Sequence, residues 1–94
     1  MSTIADTITA ADKSRGLALT ALARANEAVD AAGQANRLAA QSIPEHRLLL
    51  DLMADAYQAA STAATQARGA VYAADTAYYA ACAAGEALKA VGQA

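Results

Sequence analysis

Tyr57–Leu88 reads YQAASTAATQARGAVYAADTAYYAACAAGEAL. Between its end residues there is no Leu, Ile, Phe or Trp. Only Val71, Tyr72, Tyr78, Tyr79 and Cys82 stand out from a run of alanine and small or polar residues. Alanine is the best helix former, with Gln, Arg, Glu and Leu close behind, and the stretch contains no proline. Apolar residues recur at steps of three or four through Leu48, Leu52, Ala56, Ala59, Ala63, Ala67, Ala70, Ala74, Ala77, Ala81, Ala84, Leu88 and Val91. That spacing draws one stripe along an α-helix. Asp51, Asp55, Gln58, Thr62, Thr65, Gln66 and Thr76 fall on the other side. The expected element is a long amphipathic helix whose buried face is made of methyl groups.

A methyl seam lets two helices approach toward the low end of the usual ~8–10 Å. Each alanine buries little area, and burial yields only about 25 cal/mol per Å². Such a seam is geometrically exacting and weak per residue, so it needs length or further partners. A second stripe runs beside it. Tyr57, Val71, Tyr72, Tyr78 and Tyr79 share one side of a helical wheel, within about 120° of one another, with Arg68, Asp75 and Glu86 among them. Tyrosine joins a large apolar body to a polar tip and suits the border of a buried face or an interface. Two readings stay open. The rings flank the intramolecular core, or Tyr57, Arg68, Tyr72, Asp75, Tyr78 and Tyr79 form a partner-binding stripe.

Upstream lies the clearest punctuation, Gln41-Ser42-Ile43-Pro44-Glu45. Pro44 lacks a backbone donor and disfavours helix for Ile43. Ser42 and Glu45 have capping-box spacing, with proline in the first turn of a new helix. The spacing therefore predicts helix one over about 3–41, a turn over about 42–44 and helix two over about 44–91. Leu48, Leu49, Leu50, Leu52 and Met53 form the densest apolar cluster and are expected to anchor the turn end. Gly92 is placed to cap the far end.

Helix one starts at Ser2 or Thr3, and Thr3 with Asp6 resembles a capping box. Its seam reads Ile4, Ile8, Ala11, Arg15, Ala18, Leu22, Ala25, Val29, Ala32, Asn36, Ala39 and Ile43, with steps alternating four and three as in a heptad repeat. Arg15 and Asn36 interrupt it, either as register-fixing polar positions or because the helix turns away there. Gly16 and Gly33 each weaken the helix by roughly 1 kcal/mol. The fold class is all-α: a long antiparallel, alanine-rich, coiled-coil-like helical hairpin. Breaks at Gly16 and Gly69 would turn the same sequence into a compact four-helix bundle.

Ninety-four residues make one domain, thin in core. Thirty-one residues are alanine, against nine Leu, three Ile, three Val, two Met and no Phe or Trp. Net charge is −2, and the seven Lys and Arg are scattered singly. That pattern gives no footprint for nucleic acid. One cysteine, Cys82, makes no internal disulfide. The N-terminus lacks the basic and apolar regions of a signal peptide, which implies a cytoplasmic protein. No window reads as a membrane span, since Gly69–Val91 carries Asp75, Glu86 and Lys89.

Nothing points to catalysis. His46 is the only histidine, and there is no HExxH motif, cysteine cluster, phosphate loop or nucleophile elbow. The nine carboxylates are dispersed, with Asp51 and Asp55 reading as a solvated pair. No catalytic residue, cofactor, metal or small-molecule substrate is expected. Thr9 with Thr20, and Thr65 with Thr76, are eleven apart as in alanine-rich ice-binding helices, but two pairs make no array.

Ala56-Tyr57-Gln58-Ala59-Ala60-Ser61, Gly69-Ala70-Val71-Tyr72-Ala73-Ala74-Asp75, the mid-chain turn and the length together resemble the small helical hairpins of type VII secretion, the WXG100 (ESAT-6-like) and PE groups. The turn here is Ser42-Ile43-Pro44 rather than Trp-x-Gly, the only Pro-Glu is Pro44-Glu45, and Tyr72 has Asp75 three residues on with Thr at position 76. The resemblance implies a secretion-associated hairpin that pairs with a second hairpin. From the residues themselves the expectation is a non-enzymatic helical interaction module, with a protein partner or a second copy in a homodimer. The alternatives are a small phage- or mobile-element-encoded inhibitor, such as an anti-CRISPR, and a structural homo-oligomer.

Overall fold

The structure, a computed structural model, describes residues 3–92. It is an all-α hairpin measuring 72 × 18 × 13 Å. Helix α1 spans Ile4–Ser42 and helix α2 spans Arg47–Ala90. They pack against each other in antiparallel fashion along their length. Both run unbroken through Gly16 and Gly69, so the four-helix arrangement does not form. A single glycine costs about 1 kcal/mol in a helix, and the alanine-rich turns on either side hold the helix through it.

Local signals set the ends. The Thr3 hydroxyl accepts from the Asp6 amide at 3.2 Å, and the Thr3 amide donates to the Asp6 carboxylate at 3.2 Å, a complete capping box. Ser2 lies outside the described residues. At the turn the chain departs from expectation. Ser42 stays in α1, because the Ile43 amide still reaches the Ala39 carbonyl at 2.9 Å. Pro44 and Glu45 form the turn itself, which the His46 amide closes onto the Ile43 carbonyl at 3.0 Å. The N-cap of α2 is His46, whose Nδ1 accepts from the Leu49 amide at 3.3 Å. The expected Ser42–Glu45 capping box is therefore absent, and α2 starts three residues later than the sequence reading places it. At the far end Gly92 has φ +75° and its amide donates to the Lys89 carbonyl, as a C-terminal glycine should.

All twelve expected seam positions of α1 are buried or half-buried. In α2 the seam is not the expected alanine stripe. Leu48 and Leu52 are exposed, as are Ala56, Ala59, Ala63, Ala70, Ala77, Ala84 and Val91. The residues that face α1 are Leu50, Met53, Ala60, Ala64, Ala67, Val71, Ala74, Tyr78, Ala81, Gly85 and Leu88, with Tyr57 at the border. Only Ala67, Ala74, Ala81 and Leu88 belong to both stripes. The cause is area. Stabilisation follows the apolar surface removed from water, so Leu50, Tyr57, Val71 and Tyr78 claim the seam ahead of a longer row of methyl groups.

Each helix then presents two heptad rows to the other. In α1 these are Ala11, Ala18, Ala25, Ala32 and Ala39 on one side, and Ile8, Arg15, Leu22, Val29, Asn36 and Ile43 on the other. In α2 they are Ala60, Ala67, Ala74 and Ala81, and Leu50, Tyr57, Ala64, Val71, Tyr78 and Gly85. The small rows lie along one long edge of the hairpin and the mixed rows along the other. The core is slight. Gly33, Ala39, Ala64, Ala81 and Gly85 are the buried residues among those described, and no large side chain is fully buried.

Candidate interaction surface

The six residues of the expected partner stripe separate into two groups. Tyr57, Asp75 and Tyr78 are committed to α1. The Tyr57 ring lies over Gly33, where an added Cβ would sit 3.3 Å from Cε2. Asp75 forms an ion pair with Arg15 across the seam, its Oδ1 3.2 Å from the Arg15 Nε. The Arg15 guanidinium also lies 4.6 Å from the Tyr78 ring centre and 5.8 Å from that of Tyr79. The two rings meet edge to face, 5.4 Å apart at 70°. Arg15 therefore sits in the seam because α2 gives its charge both a carboxylate and an aromatic face. Asp75, though counted in the stripe, is occupied within the chain.

The Tyr78 phenol is held above its ordinary value near 10. Hydrogen bonding to Cys82, one turn on, is the main cause, followed by the charge of Cys82 and by desolvation; Asp12 adds to it and Arg15 opposes it. The ring is thus neutral at physiological pH and serves as a packing surface for the guanidinium.

Tyr72 and Tyr79 point outward, 76% and 62% exposed, one heptad apart on the same row of α2. Arg68 stands beside them, its Nη2 donating to the Thr65 hydroxyl at 3.1 Å. Arg68 and Thr65 line an open groove with Asn26, Val29, Ser61 and Ala64. A second groove at the open end is lined by Ile4, Ile8, Cys82, Gly85, Glu86 and Lys89, among others. Both grooves lie on the edge that carries the larger seam residues. In α1 the row flanking that edge includes Asp12, Leu19 and Asn26, and Leu19 is 48% exposed. Sequence reasoning missed Leu19. It sits four residues past Arg15 and four before Ala23, a spacing that marks the flank of the seam once the heptad is drawn on the structure.

The opposite edge has different chemistry. From α1 it carries Leu17, Ala21, Ala28, Ala31 and Leu38, and from α2 Leu52 and the exposed alanines of the expected seam. Arg24 is the only charged residue that the helices place there. Most of the alanine stripe read from the sequence faces outward as a surface, while its Ala67, Ala74, Ala81 and Leu88 lie in the seam.

Among the described residues no group of His, Cys, Asp and Glu is close enough to hold a metal ion. No helix is long and apolar enough to cross a membrane. The hydroxyls of Thr9, Thr20, Thr65 and Thr76 each donate to the carbonyl four residues back. No protein-family model, no curated protein and no solved structure matches the chain.

Proposed function

We propose that this chain is a non-enzymatic protein–protein interaction module that docks a helical partner on the tyrosine edge of α2. The observation that carries the reading is the pair Tyr72 and Tyr79. Both rings are largely exposed on one helix row, beside Arg68. Exposed tyrosine and arginine on a rigid element is the composition of interface anchors, and neither ring is required to cover the slight core. A secretion-associated hairpin that pairs with a second hairpin is the setting we favour. The second reading, a small inhibitor of a larger complex, is favoured by the same exposed rings together with an alanine–tyrosine seam already closed within the chain.

Capture from the native host tests the proposal. The parent chain and a Tyr72→Ala/Tyr79→Ala variant of equal helicity serve as paired baits. A specific protein retained by the parent and lost with the variant is the expected result. Equal retention by both baits overturns the assignment to this edge. Asp75 is a poor site for such a test, because its substitution also removes the Arg15 contact.

A further inference from the structure

We infer that a second copy of this chain docks on the alanine edge, forming an all-antiparallel four-helix dimer whose two-fold axis runs parallel to the helices. This goes beyond the proposed partner site and uses the opposite side of the hairpin. The first support is area. The chain exposes 6641 Å², whereas a compact monomer of 9.5 kDa exposes about 5,000 Å². Two copies thus have about 3,000 Å² to cover, the scale of an obligate homodimer interface. No large side chain is fully buried in the single chain, so a second layer would bury apolar surface that one hairpin leaves in water.

The second support is the partition of charge. The tyrosine edge carries Asp12, Arg15, Arg68, Asp75, Glu86 and Lys89, while the alanine edge carries Arg24 alone. Exposed Leu17, Leu38, Leu52 and Val91 lie on the alanine edge instead. Homodimer interfaces are depleted of charge and richer in apolar area in just this way, and small side chains let the layers approach closely.

The third support fixes the arrangement. Arg15 pairs with Asp75 across the hairpin. Nine residues on from Arg15 is Arg24, and nine back from Asp75 is Gln66, which shares the row of Leu52 and Ala59 and so stands on the alanine edge rather than across the helix from the alanines as the sequence reading has it. The two long polar side chains of that edge therefore lie level with each other. The register of Gly33 against Tyr57 likewise brings Leu38 level with Leu52. Rotation about an axis parallel to the helices lays α1 of one copy over α2 of the other. Arg24 then meets the Gln66 of the second copy, and Leu38 meets its Leu52, each contact twice. An axis across the helices would stack α1 on α1 and bring the two Arg24 charges together near the interface centre, which like-charge repulsion disfavours. The resulting dimer holds its two tyrosine edges outward on opposite sides and is bivalent for any partner that they bind.

Light scattering on the full chain tests this, with circular dichroism on the same samples. The parent is expected at twice the chain mass. Ala63→Arg/Ala70→Arg is expected at the single mass with undiminished helicity, because both sites are exposed in the hairpin and arginine is a good helix former. Gln66→Glu, set opposite Arg24, is expected to tighten the dimer several-fold, and Gln66→Lys to loosen it several-fold. A parent that stays at the single mass in near-millimolar solution overturns the inference. So does a dimer that survives the double arginine variant, or one that Tyr72→Ala/Tyr79→Ala dissolves. Equal effects of Glu and Lys at position 66 overturn the axis. Failure of the tyrosine-edge proposal shows instead in partner capture and leaves the mass unchanged.

Discussion

The two helices carry the same heptad but reveal it differently. In α1 the sequence offers one apolar stripe, and that stripe is the seam from Ile4 to Ile43. In α2 it offers two. One is a long row of alanines, and the other is a shorter mixed row of Leu50, Tyr57, Val71, Tyr78 and Gly85 interleaved with alanine. The hairpin closes on the mixed row. The difference teaches that, in an alanine-rich helix, the count of methyl groups does not choose the buried face. A few large side chains do, because stabilisation scales with area. The glycines Gly33 and Gly85 then make room where large residues of the other helix, Tyr57 and Ile8, come close.

The comparison can be broken most easily at the tyrosines of α2. Tyr78 lies in the seam under Arg15, while Tyr72 stands clear of it. Tyr78→Ala is expected to lower stability by about 2 kcal/mol, short of the full cost of a buried aromatic because the ring is only half-buried. Tyr72→Ala is expected to stay within about 0.5 kcal/mol of the parent. Urea unfolding followed by helicity measures both, and equal losses would mean that the two rows contribute alike.

Glycine replacements sharpen the same contrast with a smaller effect. An alanine Cβ at Gly16 or Gly69 meets nothing within 4 Å. Each substitution is expected to stabilise the chain by about 1 kcal/mol, the helix-propensity gain alone. At Gly85 the Cβ would lie 3.2 Å from Ile8 Cδ1, and at Gly33 3.3 Å from Tyr57 Cε2. There the neighbour has to shift, and the gain is expected to be less than half as large. Thermal melting of the four single variants checks the order. Gains at Gly33 and Gly85 equal to those at Gly16 and Gly69 would show that the seam is loose.

The smallest effect belongs to the one ion pair across the seam among the described residues. Arg15 and Asp75 are 30% and 41% exposed in their side chains. Screening by solvent limits their coupling to about 0.5–1 kcal/mol in a double-mutant cycle. It is expected to shrink in 1 M salt, where the screening length is about 3 Å. A coupling indistinguishable from zero at low salt would mean that Arg15 sits in the seam for its contact with Tyr78 alone.

The hairpin was legible because its signals are local: alanine-rich helices, a proline turn, Thr3 with Asp6, and Gly92. The seam of α1 was legible because only one stripe competed. The seam of α2 was not, since wheel position ranks faces by continuity and ignores the size of what is buried. The start of α2 was misplaced because Ser42 and Glu45 mimic a capping box, while the amide of Ile43 still finds a helical partner in Ala39. Of the expected site, Tyr72, Tyr79 and Arg68 stand on an open edge. Tyr57, Tyr78 and Asp75 proved to be engaged with α1. Their partners Gly33 and Arg15 lie at least 24 residues away in sequence, and no pattern within α2 reports such a register.

The choice of seam is tested most directly by placing a leucine on each of two adjacent alanines. Ala64 is 3% exposed and faces α1, whereas Ala63 is exposed on the other stripe. Thermal melting of Ala64→Leu and Ala63→Leu is compared at dilutions where light scattering gives a single chain. Overpacking the seam is expected to cost Ala64→Leu about 2 kcal/mol, a fall of roughly 10 °C for a domain of this size, while Ala63→Leu melts with the parent or slightly above it. The reverse order, with Ala63→Leu the destabilised variant, would place the alanine stripe in the seam and contradict this account.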